Sequence, residues 1–443
     1  MDSEVRRRRA APAAGEGSSQ EKEVQGRGER IDRSFTLGLL LLLSLLAGGV
    51  SLVWLAPSSP PSLALTSSLD SLLASLSLLP REHAVVLDCG STGSRVLAFS
   101  FHRHLSTGSL VLEEELWHEV KPGLSAHAAS PGQGAASIAS LLALARERIP
   151  SQAWPTTPVT LMATAGLRLL PPEQSEALLA AARATLEESG FMNRGVDIMS
   201  ELDEGVFGWL TVNYLLGQLD NPRKSYVALD LGGGSTQVTF APKHEATFTA
   251  SPSDFLHPVK VSGQDLTLYS HSYLGLGLMS ARETVFRLHD PPAALALASA
   301  CVRGPEALPY RQYTVTREAE TGFEPCLAEV QLFLAALAID QVEELPTRKI
   351  AAFSYFHDRA VDAGMLGEGE SGVVTVGQYM EAARKACSSP TTAEPFLCLD
   401  LTFIAGLLHH GYRLELTARL GLYKQIDGHQ TSWALGAAFH LLE

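Results

Sequence analysis

The chain has 443 residues, 46% of them hydrophobic and 19% charged, and its 34 Lys and Arg against 48 Asp and Glu leave a net charge of −14. That composition is too apolar and too mixed for a disordered or fibrous chain, and the length suits two or three domain-sized units around a sizeable core. The acidic balance argues against nucleic acid as the main partner, because phosphate contacts need clustered Lys and Arg.

Residues 1–36 are polar and hold the run Arg6–Arg9, with eight basic and seven acidic residues. They have little to bury and read as a flexible tail. Leu37 to Ala56 then runs twenty residues without a charge. A bilayer-spanning helix needs about 20 apolar residues, whereas the apolar part of a secretory signal is shorter, so 37–56 is expected to be a transmembrane anchor. Arginines precede the span, and residues 57–82 carry only Asp70, Arg81 and Glu82 as charges. The tail is therefore expected in the cytosol and the bulk of the chain in the lumen or outside the cell, as in a single-pass type II protein. The Ser-, Leu- and Pro-rich stretch 57–82 reads as a stem.

Two segments of the remainder echo each other. Ala84–Phe101 reads AVVLDCGSTGSRVLAFSF, and Tyr226–Phe240 reads YVALDLGGGSTQVTF. Each is an apolar run, an Asp-x-Gly turn with further Gly and Ser or Thr, and a second apolar run, the pattern of a β-hairpin. Two copies suggest two similar lobes whose hairpin tips face each other. Glycines let backbone N–H groups approach an anion closely. Ser91, Thr92, Ser94, Ser235 and Thr236 add hydroxyl donors. Asp88 and Asp230 would repel phosphate unless a metal lay between, and hard cations such as Mg²⁺ or Ca²⁺ take oxygen ligands and bridge to phosphate.

Between the copies, Thr160–Leu170 (TLMATAGLRLL) reads as a short strand and turn carrying Thr164 and Gly166, followed by an amphipathic helix from about Pro172 to Glu188. Asp203, Glu204 and Gly205 precede an apolar helix through Trp209 and Tyr214. Beyond them lie Cys301, Cys326, Cys387 and Cys398. Four cysteines allow three pairings, and nearest-neighbour bonds Cys301–Cys326 and Cys387–Cys398 are the expected ones in an oxidising compartment. Cys89 is expected to be unpaired, and its oxidation to slow turnover. No CxxC or His-rich spacing points to zinc. Trp433–Leu442 reads as a last apolar helix.

Together these segments resemble the apyrase family, the nucleoside triphosphate diphosphohydrolases. The resemblance rests on DCGSTGSR (88–95), ATAGLRLLP (163–171), DEGVFGW (203–209), DLGGGSTQ (230–237), YSHSYLGLGLMSAR (269–282), SYFHDRA (354–360), CLDLTFI (398–404) and TSWALGAA (431–438). It covers nearly all of 83–443 and is nearest to the single-anchor, nucleoside-diphosphatase branch, type 6 before type 5. It implies an α/β fold with two actin/Hsp70/sugar-kinase-like (ribonuclease H-like) lobes: 83–200 plus 425–443, and 201–424. It implies Glu204 as the base that activates water and Ser235 and Gln237 as its positioners. Gly90, Ser91, Thr92, Gly93, Ser94 and Arg95, with Gly232, Gly233, Gly234, Ser235 and Thr236, become the phosphate loops. Asp88, Asp230 and Thr164 become the metal shell, mostly through water, and Tyr355, Phe356 and Phe403 the nucleobase contacts. Cys89 stands where relatives usually carry a small residue such as Ala, and Glu201-Leu202 replaces a Gly-Thr/Ser pair.

The activity implied is Ca²⁺- or Mg²⁺-dependent hydrolysis of nucleoside diphosphates (GDP, UDP, IDP, CDP; triphosphates poorly) in the secretory lumen or outside the cell. The implied location is the Golgi, the endoplasmic reticulum or plasma membrane being alternatives, with a secreted form after stem cleavage and a monomeric catalytic domain. A small-molecule kinase on the same scaffold is the alternative activity, which the anchor and cysteines disfavour.

Overall fold

The computed structural model describes residues 70, 72–74, 76 and 78–443, except 91, 262, 290–292, 304–305 and 390–393. The expected tail (1–36), anchor (37–56) and most of the stem lie outside the described residues, as does Ser91. Among the described residues no helix is long and apolar enough to cross a membrane. Ser77–Glu443 forms one compact unit.

The first lobe is built on five strands: β1 (Arg81–Cys89), β2 (Ser94–Arg103), β3 (Leu110–Val120), β4 (Pro158–Ala163) and β5 (Met192–Ile198). Their order is β3-β2-β1-β4-β5. Both faces of β1 are covered, which is why it reads as a continuous apolar run. Val85 and Leu87 pack with Ile138 and Leu141 of helix α1 (Pro131–Arg148) and with Leu178 of α2 (Pro172–Glu187). Ala84 and Val86 point the other way, into a cluster with Trp433, Leu435 and Phe207.

The second lobe holds β6 (Val227–Leu231), β7 (Ser235–Phe240), β8 (Leu256–Val261) and β9 (Gln264–Leu274), then a small sheet of β10 (Ala296–Ser299), β11 (Leu308–Tyr310) and β12 (Tyr313–Arg317), and finally β13 (Ile350–Ser354), β14 (Gly372–Thr375) and β15 (Arg419–Leu422). The large sheet runs β14-β15-β13-β6-β7-β9-β8. Its strands β9-β7-β6-β13-β15 repeat the pairing of the first sheet: two antiparallel joins on one side of the leading strand and two parallel joins on the other. The sequence echo is thus an echo of topology, and the β1–β2 and β6–β7 hairpins hold equivalent places.

Helix α3 (Glu201–Leu215) begins at Ser200, whose hydroxyl accepts the Asp203 N–H, and carries Glu201, Asp203 and Glu204 in its first turn. The acidic pair therefore lies inside the helix rather than before it, where a hydroxyl cap and the N-terminal partial charge both favour acids. Further on come α4 (Leu278–Phe286), α5 (Phe323–Ala335), α6 (Tyr355–Asp362), α7 (Val376–Ser388), α8 (Leu397–Gly406) and α9 (Ala434–Leu442). The bonds Cys301–Cys326 and Cys387–Cys398 are formed, and Cys89 is free and buried.

Candidate active site

The two hairpin tips are closed alike. The Gly90 N–H donates to the Gly93 carbonyl at 3.0 Å, and the Gly232 N–H donates to the Ser235 carbonyl at 3.0 Å. Asp88, the last residue but one of β1, lies directly opposite Arg95 of β2. The Arg95 guanidinium donates to Asp88 at 3.2 Å and pairs with Glu119 of β3 at 2.6 Å. Arg95, read from sequence as a phosphate ligand, is thus held between two carboxylates. Burial lifts the Asp88 carboxyl above its usual range, with Arg95 opposing.

On the second tip the glycine run is fastened from behind. The N–H groups of Leu278, Met279 and Ser280, at the start of α4, donate to the carbonyls of Gly232 and Gly233 at 2.9–3.1 Å, and the Gly275 N–H takes the Gly234 carbonyl at 2.8 Å. This close approach needs Gly277: a Cβ there would stand 2.3 Å from the Ser235 nitrogen and 2.4 Å from Gly234. Gly277→Ala should therefore push the loop off α4, lowering stability by about 1–3 kcal/mol and turnover with it; a thermal melt and kcat on the same sample check this. Gly234 faces the first lobe, where a Cβ would lie 2.7 Å from Ala165. The second tip thus rests on the helical turn Ala165–Arg168 that follows β4.

Glu204 is 8% exposed. Arg168 donates to it at 2.6 Å and lies 3.5 Å from Glu201. Burial pushes the Glu204 carboxyl up to about 7; Arg168 opposes, while Asp230 and Asp88 add to the rise. Burial likewise brings Asp230 up to about 6, with a Ser354 hydroxyl bond opposing and Asp88 adding. The next residue, Gly205, lets α3 lie against β7 and β9, since a Cβ would stand 2.5 Å from Ser270 Oγ and 2.6 Å from Thr239 Oγ1. Gln237 Nε2 donates to Ser235 Oγ and Ser272 Oγ, both at 2.9 Å, which holds the Ser235 hydroxyl in place.

One cleft is lined by Asp88, Gly90, Thr92, Arg95, Thr164, Glu204, Asp230, Gly232, Gly233, Gly234, Ser235 and Tyr355. Sequence-named residues from distant stretches of chain are thereby brought together. Six others, Gly93, Ser94, Thr236, Gln237, Phe356 and Phe403, are not in its wall; Gln237 is 2% exposed and acts through Ser235. Thr236 is fully buried and its hydroxyl braces the Asp230 carbonyl at 2.6 Å, so it is a strut rather than a phosphate contact. Ser94 is 1% exposed, turned inward beside Cys89. Phe356 and Phe403, expected against the base, are 0% and 1% exposed and lie in the core of the second lobe. They are apolar rings on the inner sides of α6 and α8, and no base can reach them. Cys89 is also fully buried, and burial pushes its thiol far above the usual range. The reactive thiolate is suppressed there, which removes the basis for regulation by oxidation.

The sequence reading missed two groups that touch these carboxylates. Arg168 lies inside the quoted stretch 163–171, and its arginine two residues after a Gly turn was the available signal. Ser354 ends β13 in the left-handed region, at φ 57°. It lines the cleft and bonds Asp230. A non-glycine residue held there stores strain of the kind that clusters at functional sites.

The chain has relatives among known proteins. Residues 79–443 match the GDA1/CD39 (nucleoside phosphatase) family. The chain is 40% identical over 376 residues to human nucleoside diphosphate phosphatase ENTPD5, covering 82% of this chain and 87% of that one. It is 38% identical over 376 residues to ectonucleoside triphosphate diphosphohydrolase 6 of Rattus norvegicus, covering 82% of each. The crystal structure of nucleoside triphosphate hydrolases from Neospora caninum superposes with a TM-score of 0.59 at 16% identity, covering 86% of this chain and 96% of that one, a likeness of fold.

Proposed function

Since the chain belongs to the GDA1/CD39 nucleoside phosphatase family, we propose that it hydrolyses nucleoside diphosphates to the monophosphate and phosphate, with Glu204 activating the attacking water. The observation that carries this reading is the convergence of two glycine-rich tips on three carboxylates, the buried Asp88 and Glu204 and the half-buried Asp230, in one cleft. Phosphoanhydride hydrolysis leaves little covalent work for the protein, so positioning and charge stabilisation dominate. N–H groups of the tips and the Thr92 hydroxyl hold the terminal phosphoryl group. Ser235, oriented by Gln237, positions a water in line with it. Glu204 takes a proton as the water oxygen bonds to phosphorus, and the bond to the bridging oxygen breaks with the monophosphate as leaving group. No phosphoenzyme forms.

The residues also fit a divalent cation. Asp230 Oδ1 is buried with no hydrogen-bond partner among the described residues, and Asp88 and Asp230 each raise the Glu204 carboxyl. Such crowding of acids calls for positive charge beyond Arg95 and Arg168. Asp88, Asp230 and Thr164 would hold Ca²⁺ or Mg²⁺, mostly through water. The ion supplies charge that offsets what builds on the phosphate oxygens. Tyr355, the one sequence-named aromatic in the cleft wall, contacts the base.

UDP and GDP are the substrates we expect first, with the catalytic unit on the lumenal side of the Golgi behind the anchor at 37–56. The test is phosphate release by the purified chain with no acceptor alcohol present. Release of phosphate and monophosphate in equal amounts is expected, whereas turnover that appears only with an added acceptor would make the protein a kinase.

A further inference from the structure

Trp117 is 39% exposed, and it lines the cleft from the first lobe while Tyr355 lines it from the second. It lies on β3 opposite Leu97, two residues from Glu119, which pairs with Arg95 in register. Residues two apart on a strand share a face, so Glu115, Trp117 and Glu119 form one row. Both carboxylates of that row are tied down. Glu119 holds Arg95 at 2.6 Å and Lys121 at 3.3 Å. Glu115 accepts the Gln430 N–H at 3.1 Å and lies 3.2 Å from His429 Nδ1. Leu97, opposite, is 1% exposed and belongs to the core. The indole thus sits on a braced strand, half open to the cleft.

Its place along the strand suits the base. Arg95 and Glu119 mark the phosphate end, beside Asp88. Two residues of strand put Trp117 roughly 7 Å from that end, back along the sheet from the hairpin tip, on the scale that separates a diphosphate from its nucleobase. Resting on the function proposed above, we propose that Trp117 stacks the nucleobase of the bound nucleoside diphosphate from the first lobe, facing Tyr355 across the cleft. Stacking uses the π-face that every base has, so such a contact admits purines and pyrimidines alike, and contacts from both lobes tie base binding to closure of the cleft.

The test uses the full chain with Trp117→Ala and Trp117→Phe. It compares KM and kcat for UDP and GDP, calorimetric Kd for the same nucleotides, and the Ki of inorganic pyrophosphate, which has no base. Trp117→Ala should raise KM and Kd for both nucleotides roughly 5–100-fold and leave the pyrophosphate Ki unchanged, with Trp117→Phe recovering most of the loss. Unchanged nucleotide Kd overturns the proposal, as does a parallel rise in the pyrophosphate Ki, which marks a structural role. A wild-type chain that binds nucleoside diphosphates without hydrolysing them overturns the function reading instead, and the Kd comparison still decides the role of Trp117.

Discussion

Glu204→Gln should lower kcat by roughly 10²–10⁴-fold, the usual share of a general base, with nucleotide binding close to wild type and a melting temperature near neutral pH that is no lower. The amide keeps the size of the carboxylate and an oxygen that can accept the 2.6 Å bond from Arg168, but it takes no proton from water. The pH dependence has a definite sign. Water activation needs the ionised form, and burial has pushed the carboxyl up to about 7, so kcat climbs with pH along a limb at or below about 7. A bound cation draws that limb lower. The Glu204→Gln profile should lack it. The same shift costs stability: the folded chain favours the protonated acid, so this residue destabilises the fold as pH rises from its ordinary value of 4.5 to about 7. A catalytic role accounts for a carboxyl kept where the fold alone would not choose it.

Removing divalent ions should be nearly as severe. With a chelator, phosphate release should fall to a few per cent or less and return on adding Mg²⁺ or Ca²⁺, because three carboxylates would otherwise face a polyanion with two guanidinium groups already committed to them. Asp230→Asn should raise the ion concentration needed for half activation, since it alters the carboxylate whose Oδ1 has no hydrogen-bond partner among the described residues. A chain that hydrolyses at full rate in chelator would remove the cation from the account.

Much of this was legible because the two hairpins announce themselves locally: apolar runs flanking Asp-x-Gly turns need no tertiary information. Their pairing across a cleft follows from the duplication, and the sheets repeat the same strand order. What was misread turns on side-chain direction. Ser235 and Gln237 share a face of β7 while Thr236 takes the other, so one hydroxyl reaches the cleft and its neighbour braces a carbonyl. Arg95 and Ser94 divide in the same way on β2. Tyr355 and Phe356 are adjacent on a helix and diverge by a quarter turn, which sends one ring to the cleft and the other to the core. Motif matching assigns such neighbours together; only the register separates them. Ser354 opens the quoted stretch 354–360 but was passed over for another reason, since its conformation is set by the junction of β13 and α6 and no local pattern encodes it. Trp117 belongs to no motif and is recognised by its exposure beside the site.

The most direct measurement of the central claim is hydrolysis of a nucleoside diphosphate in ¹⁸O-enriched water under single-turnover conditions, with both products weighed. Water activated by Glu204 and aimed at the terminal phosphorus places the label in inorganic phosphate alone. Label in the nucleoside monophosphate would mean attack at the other phosphorus and would contradict the placement of base, water and phosphate loops described for this cleft.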